Sequence, residues 1–217
     1  MYEAILDSAA GTAFLAVFED RRKLFQSSAP MRGREAAKLP VWVAGALKER
    51  GLDLADVDRW TVGAGPGSFT GLRLAAALVA GWCFGRPNSC RAVPGVLGLA
   101  RAAMIAPGET MGCLYDGRNH EIICCPVAAA ADGGLAMGAE PEIFGADAMR
   151  AFAAAHPEMR LAAFASELPA ILKLVPELGV IPVEAPDLAA LALSDLPFDD
   201  DVTRLVYIRP AVYPKSM

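Results

Sequence analysis

Residues 60–85, WTVGAGPGSFTGLRLAAALVAGWCFG, constrain this chain more than any other stretch. A short apolar strand, Trp60 to Ala64, meets Gly63, Gly65, Gly67 and Gly71, four glycines within nine residues, and a long apolar segment follows. Strand, glycine loop and helix in that order hold phosphates in many enzymes. A helix N-terminus exposes unpaired N–H groups and a partial positive charge, and glycines let a ligand approach the backbone. Ser68 and Thr70 can cap the helix or offer hydroxyls. The same residues also make an ordinary tight turn: Pro66-Gly67 is a turn dipeptide, Ser68 or Thr70 is a normal N-cap, and Gly71 lets helix and strand pack closely. Three details favour the turn. The spacing is G-x-G-x-x-x-G, no lysine follows Gly71, and no carboxylate lies in the loop to hold Mg²⁺. Nor is Ser68 in a nucleophile elbow, because Pro66 stands where its first glycine belongs.

Around this motif the chain reads as alternating strands and helices. Residues 4–7, 12–19 and 23–28 form a meander of three strands, with EDRRK at 19–23 as a solvated hairpin turn. A helical pattern runs from about Arg34 to Arg50, with Leu39, Val43, Ala46 and Leu47 on one face, Pro40 limiting its regular N-terminal extent and Gly51 as its stop. Strand 60–64, helix 71–85, strand 90–93 and helix 95–106 complete a first lobe, residues 1–106. The second lobe, 107–217, opens on a hairpin around Asp116-Gly117-Arg118-Asn119. It continues through a small-residue loop (128–141), a helix 147–155 capped by Gly145, a strand at RLAAFA and a helix capped by Ser166. It ends with an exposed acidic loop, SDLPFDDD (194–201), and a last strand or extended tail, RLVYIRPAVYP. The fold class is α/β, mixed sheets with packed helices.

Composition removes several functions. Apolar residues make up 54% and charged residues 21% of the 217, a globular mixture. The net charge of −5 and the absence of a Lys/Arg run argue against a free-standing nucleic-acid binder. The opening MYEAILDSAAG lacks a basic n-region and no apolar run reaches ~18 residues, so neither a secretory signal nor a membrane helix is expected. Five cysteines without C-x-x-C spacing suggest a reduced, cytoplasmic setting and no zinc site. Catalytic equipment is sparse. His120 and His156 are in no metal-ligand spacing. Asp116 and Glu121 read as a solvated hairpin more readily than as an acid/base pair, and Cys124 has no histidine placed to activate it.

The motif GPGSFTGLR (65–73) resembles the signature of the TsaB (YeaZ) family, of the actin-like ATPase superfold. ILDSAAGTAFLAVF (5–18) is similar to that family's opening strand–turn–strand, YDGRNHEI (115–122) to its D-x-R-x-x-E-V hairpin through Asp116, Arg118 and Glu121, and VYIR (206–209) to its C-terminal Y-L-R. The resemblance implies a two-lobed actin-like fold and a non-catalytic scaffold role in making N6-threonylcarbamoyladenosine on tRNA. It implies pairing with a TsaD-like catalytic paralogue, and work with a TsaE-like ATPase. Departures occur at Arg34, where many relatives have His, at Pro94 in place of Ser, and at Leu205 in place of Pro.

Two readings of the glycine loop stay open. As a scaffold, the protein has no catalytic residues, cofactor or metal, forms a homodimer when alone, and meets tRNA only through its complex. As an active ATP-dependent phosphotransferase, it would place Asp7, Gly65, Gly67, Ser68 and Thr70 around phosphates, although ATPases of this superfold want Gly close behind the acid and Asp7 is followed by Ser8, Ala9 and Ala10. A hydrolase reading lacks a nucleophile–base pair. Helix 71–85 carries only one charge, Arg73, so one apolar side must be covered. Either that side lies within the protein's own core or it docks a second protein; the resemblance implies docking through the first two helices, at Leu39, Val43, Leu47, Leu74, Ala77, Leu78 and Ala80.

Overall fold

The computed structural model describes residues 1–9, 11–31, 33–206 and 208. Three antiparallel strands open the chain: β1 (Tyr2–Asp7), β2 (Thr12–Glu19) and β3 (Arg22–Pro30). Asp20 and Arg21 take φ of 46° and 69°, and this two-residue reversal sets the β2–β3 register. The helical pattern that follows is only partly α. Residues Gly33–Lys38 form a 3-10 turn and α1 spans Leu39–Lys48, because Pro40 has no N–H and fits only in the first turn of a regular helix. Next come β4 (Arg59–Gly63), α2 (Phe69–Cys83) and β5 (Ser89–Val93). β4 lies parallel to both β1 and β5, giving the sheet order β3-β2-β1-β4-β5.

α1 and α2 cover one face of this sheet. Leu39, Val43, Ala46 and Leu47 of α1 and Ala75, Ala76 and Val79 of α2 pack with Ala4, Leu6, Leu15, Val17, Trp60 and Val62. On the other side of the pleat lies Arg91, only 3% exposed. It pairs with Glu3 and donates to Thr61 Oγ1 and to the carbonyl oxygens of Leu191, Ala192, Ser194 and Leu196, and its guanidinium lies over the Phe198 ring. The acidic loop at 194–201 is therefore held fast. Asp200 also takes the Cys90 N–H and donates its own N–H to the Cys90 carbonyl.

The second compact unit contains α3 (Val96–Ala102), β6 (Thr110–Arg118), β7 (Glu121–Ala129), β8 (Leu135–Met137), β9 (Glu142–Phe144), α4 (Ala146–Ala155), β10 (Leu161–Phe164), α5 (Leu168–Leu174) and β11 (Val180–Val183). A last short helix, α6, spans Ala189–Ala192. The sheet order is β11-β10-β6-β7-β8, and β9 also pairs with β7. The β6–β7 hairpin turns at Asn119 and His120, both at positive φ. Its core joins Leu114, Ile122, Cys124, Met149, Leu161, Ala163, Ile171 and Val175.

The division of the chain differs from a cut after residue 106. One unit is Met1–Gly95 with Leu191–Met217, the other Val96–Ala190. α3 packs on β6, β7 and β10, while the segment from 191 is bound to Arg91. The 128–141 loop contains β8, α5 is preceded by Glu167 rather than Ser166, and residues 201–206 form no strand. Tyr207 and Arg209, the matching residues of VYIR, lie outside the described residues.

Candidate functional site

The first hairpin turn lies directly on the glycine loop. Ser68 donates its N–H to the Ala9 carbonyl at 2.6 Å, and Ser8 Oγ donates to the Gly71 carbonyl at 2.8 Å. A Cβ at Gly67 would overlap the Ala9 carbonyl oxygen, and one at Gly71 would overlap that of Ser8. These two glycines therefore admit the chain's own backbone. At the start of α2, Ser68 is the N-cap: its Oγ accepts from Gly71 N–H at 3.4 Å, and its carbonyl accepts from Leu72. Gly65 has φ of 95°, and its carbonyl accepts from Gly95 N–H. Thr70 is exposed and is not the cap.

Asp7 sits at the end of β1, 5% exposed. Its Oδ1 accepts the Ala9 N–H at 2.9 Å, which makes it the turn-capping residue of this hairpin. Gly63 and Gly95 close over the carboxyl: a Cβ at Gly95 would stand 2.6 Å from Oδ2, and one at Gly63 would collide with the side chain. Burial pushes the Asp7 pKa up, against a smaller downward pull from the Ala9 N–H. No ion pair reaches Asp7 among the described residues. The structure thus brings Asp7, Gly65, Gly67 and Ser68 into one latched cluster and leaves Thr70 outside it. Sequence reasoning missed the parts of Ser8, Ala9, Gly63 and Gly95. The small-residue run after Asp7 was the available signal, since only small residues fit a turn seated on glycines.

The expected docking residues divide sharply. Leu39, Val43 and Leu47 are fully buried in the protein's own core, so they cannot touch a partner. Their 3.6-residue periodicity marked the inward face of α1. On α2 the inward face is Leu72, Ala75, Ala76 and Val79, with Leu74 and Leu78 half-buried at its margin. Ala77, Ala80 and Gly81 are exposed, and Phe84, just past the helix, is 87% exposed. Val41 of α1 is 77% exposed.

Elsewhere the chemistry is modest. Asp116 is exposed and its Oδ1 accepts the Arg118 N–H within the hairpin. His120 is exposed at the same turn, and burial raises the Cys124 thiol to about 12. Among the described residues no cluster of three His, Cys, Asp or Glu side chains could hold a metal, and no helix is long and apolar enough to cross a membrane. Arg34 is exposed in the 3-10 turn, while Pro94 and Leu205 are half-buried.

Residues 34–139, just under half of the chain, match the family described as TsaD, tRNA N6-adenosine threonylcarbamoyltransferase. The matched stretch contains the glycine loop, α1 and α2. Two solved structures from Pseudomonas aeruginosa are similar over nearly the whole chain. One is an uncharacterized protein with similarity to peptidase YeaZ, with TM-score 0.67 and 20% identity over 88% of this chain and 89% of that one. The other is YeaZ, with TM-score 0.65 and 19% identity over 88% of this chain and 90% of that one. At 19–20% identity the likeness to these two structures shows the fold. The fold is that of the actin-like ATPases. No curated protein matches the sequence.

Proposed function

We propose that the chain is a non-catalytic scaffold or activator in the synthesis of N6-threonylcarbamoyladenosine on tRNA, pairing with a TsaD-like catalytic paralogue. A TsaE-like ATPase acts through the resulting complex, tRNA is met only there, and the compartment is the cytoplasm. The observation that carries the reading is the latch: the Ala9 carbonyl takes the Ser68 N–H and Ser68 Oγ takes the Gly71 N–H, donors that a phosphate site would keep open. Asp7 is buried, already accepts the Ala9 N–H and is closed over by Gly63 and Gly95, which leaves it poorly placed to hold Mg²⁺. The match to the threonylcarbamoyltransferase family over residues 34–139 supplies the pathway. The exposed small residues of α2 supply a surface on which a second helix can approach closely, and the isolated chain covers that surface by homodimerising.

Two measurements test this. Affinity purification of the tagged protein from its own cells should recover a TsaD-like paralogue, and adding the chain to that paralogue should raise threonylcarbamoylation of tRNA. ATP with Mg²⁺ should be neither bound tightly nor hydrolysed by the chain alone. Robust hydrolysis that disappears in Asp7→Ala would replace the scaffold reading with the phosphotransferase one.

A further inference from the structure

In the 96–190 unit α4 stops at Ala155 and α5 at Leu174, and β10 and β11 begin a few residues after each. Arg150 of α4 reaches the Leu174 carbonyl at the end of α5, so the two helix ends are neighbours. Beside them lies a cavity of about 510 Å³, lined wholly by residues of this unit. Cavities that hold small organic ligands span roughly 300–1,000 Å³. The apolar lining is Phe152, Met159, Leu161, Val175, Leu178 and Ile181. Leu161 and Val175 also belong to the unit's own core, which fixes the lining from beneath. Phe152 lies between Phe144 and His156, with ring centroids 4.9 and 4.7 Å away, so one wall is a row of rings. His156 is held there because its N–H caps α4 on the Phe152 carbonyl. None of these residues takes part in the glycine-loop latch.

The charged lining is already paired. Arg150 donates from Nε to Glu177 at 2.6 Å and from Nη1 to Asp147 at 2.7 Å. Arg160 holds Glu109 with two nitrogens, Nε at 2.6 Å and Nη2 at 2.7 Å. A charged ligand must therefore break one of these pairs or lie in the cavity without a counter-charge, and an uncharged ligand need do neither. Hydrogen-bonding capacity remains. Arg160 Nη1 donates to nothing among the described residues, and His156 Nδ1 is 3.9 Å from Glu158, beyond hydrogen-bond distance.

We propose that this cavity binds a small uncharged aromatic molecule that carries a carbonyl group. The ring system leaves water for the apolar lining, beside the Phe152 ring and the Met159 sulfur, contacts that favour an aromatic over an aliphatic body. The carbonyl oxygen accepts from Arg160, whose guanidinium keeps both bonds to Glu109 while it donates from the third nitrogen.

The probe is 2-naphthamide, with 2-naphthoate and 2-naphthylmethylammonium as its anionic and cationic counterparts. Full-length protein labelled with ¹³C at its eight methionine methyl groups is titrated with each, and Met159→Leu identifies the Met159 signal. The amide should shift the Met159 methyl signal saturably and leave Met31, which packs in the other unit's core, unmoved. Both charged probes should bind about fivefold more weakly, the factor that an exposed ion pair supplies when it is broken. Arg160→Gln combined with Glu109→Gln leaves no carboxylate unpaired and should weaken the amide about fivefold through one lost hydrogen bond. A side chain at Gly179 meets no atom within 4 Å, so Gly179→Phe, and Ala153→Phe from α4, should keep the fold and block the cavity. No saturable Met159 shift, tighter binding of either charged probe, or undiminished binding in both blocked variants would each overturn the proposal.

Discussion

α1 and α2 lie on the same face of one sheet, and both read as apolar helices, yet they meet water differently. Leu39, Val43 and Leu47 of α1 point inward while Val41 points outward, and its C-terminal end runs into Lys48, Glu49 and Arg50. α2 has no charge but Arg73 between Phe69 and Cys83, and its outward positions hold Ala77, Ala80 and Gly81. Side-chain size separates the two helices better than hydropathy does. An exposed alanine offers little apolar area, so the outward side of α2 tolerates water, and its small residues let another backbone come close. α1 has put Leu39, Val43 and Leu47 into its own core and leaves Val41 as its one large exposed apolar side chain among the described residues.

That contrast can be broken or sharpened by substitution, ordered here by expected effect on the free monomer. Leu47→Ala removes a fully buried side chain from α1 and should cost about 2–5 kcal/mol in urea unfolding. A cost under about 1 kcal/mol would show that this face of α1 is not core. Gly71→Ala forces a methyl group onto the Ser8 carbonyl oxygen at the start of α2 and should lower stability by about 1–3 kcal/mol. An unchanged thermal midpoint would mean that the latch is loose.

The third effect depends on pH. Asp7 has a folded pKa raised by burial above its ordinary 3.8. Its contribution to stability is therefore complete below that ordinary value and is lost as pH rises through the folded value. Asp7→Asn cannot ionise and can still accept the Ala9 N–H. Its stability should equal or trail the wild type's in acid and overtake it as pH rises, in unfolding curves taken across that range. A gap that widens in acid would mean that Asp7 is ionised in the folded protein. The smallest effect on the monomer belongs to Ala77→Glu and Ala80→Glu. Each should change unfolding free energy by no more than about 0.5 kcal/mol. At least one should abolish homodimerisation and binding to the paralogue, measured by light scattering and co-purification. Unfolding of both variants would show that α2 is interior on every side.

Much of this architecture was legible. β1, β2, β4 and β5 follow from short apolar runs bounded by turns, and the 3.6-residue pattern located α1 and α2. What escaped were elements too short to show a period: β8 and β9 have three residues each, β11 four. The glycine loop was visible as a turn, but its occupant was not, because the Ala9 carbonyl that meets Ser68 N–H has no side-chain signature. Arg91 was hidden for a related reason. In SCRAV it reads as an outward strand residue, and its acceptors are backbone carbonyls about a hundred positions away, which sequence does not record.

The Arg91 clamp also bears on how the chain is made. Glu3 offers that guanidinium a carboxylate, and four carbonyls that accept from it are 100 to 105 residues downstream. On a ribosome the opening meander, α1, α2 and β5 are all synthesised long before those carbonyls exist. The 96–190 unit is contiguous and can finish first, whereas the N-terminal unit must wait for loop closure over nearly half the protein. The usual order, N-terminal domain before C-terminal, is thereby reversed. A nascent chain stalled near residue 190 would hold Arg91 without most of its acceptors, and the first unit would reach protease resistance only after the segment through Leu196 had emerged.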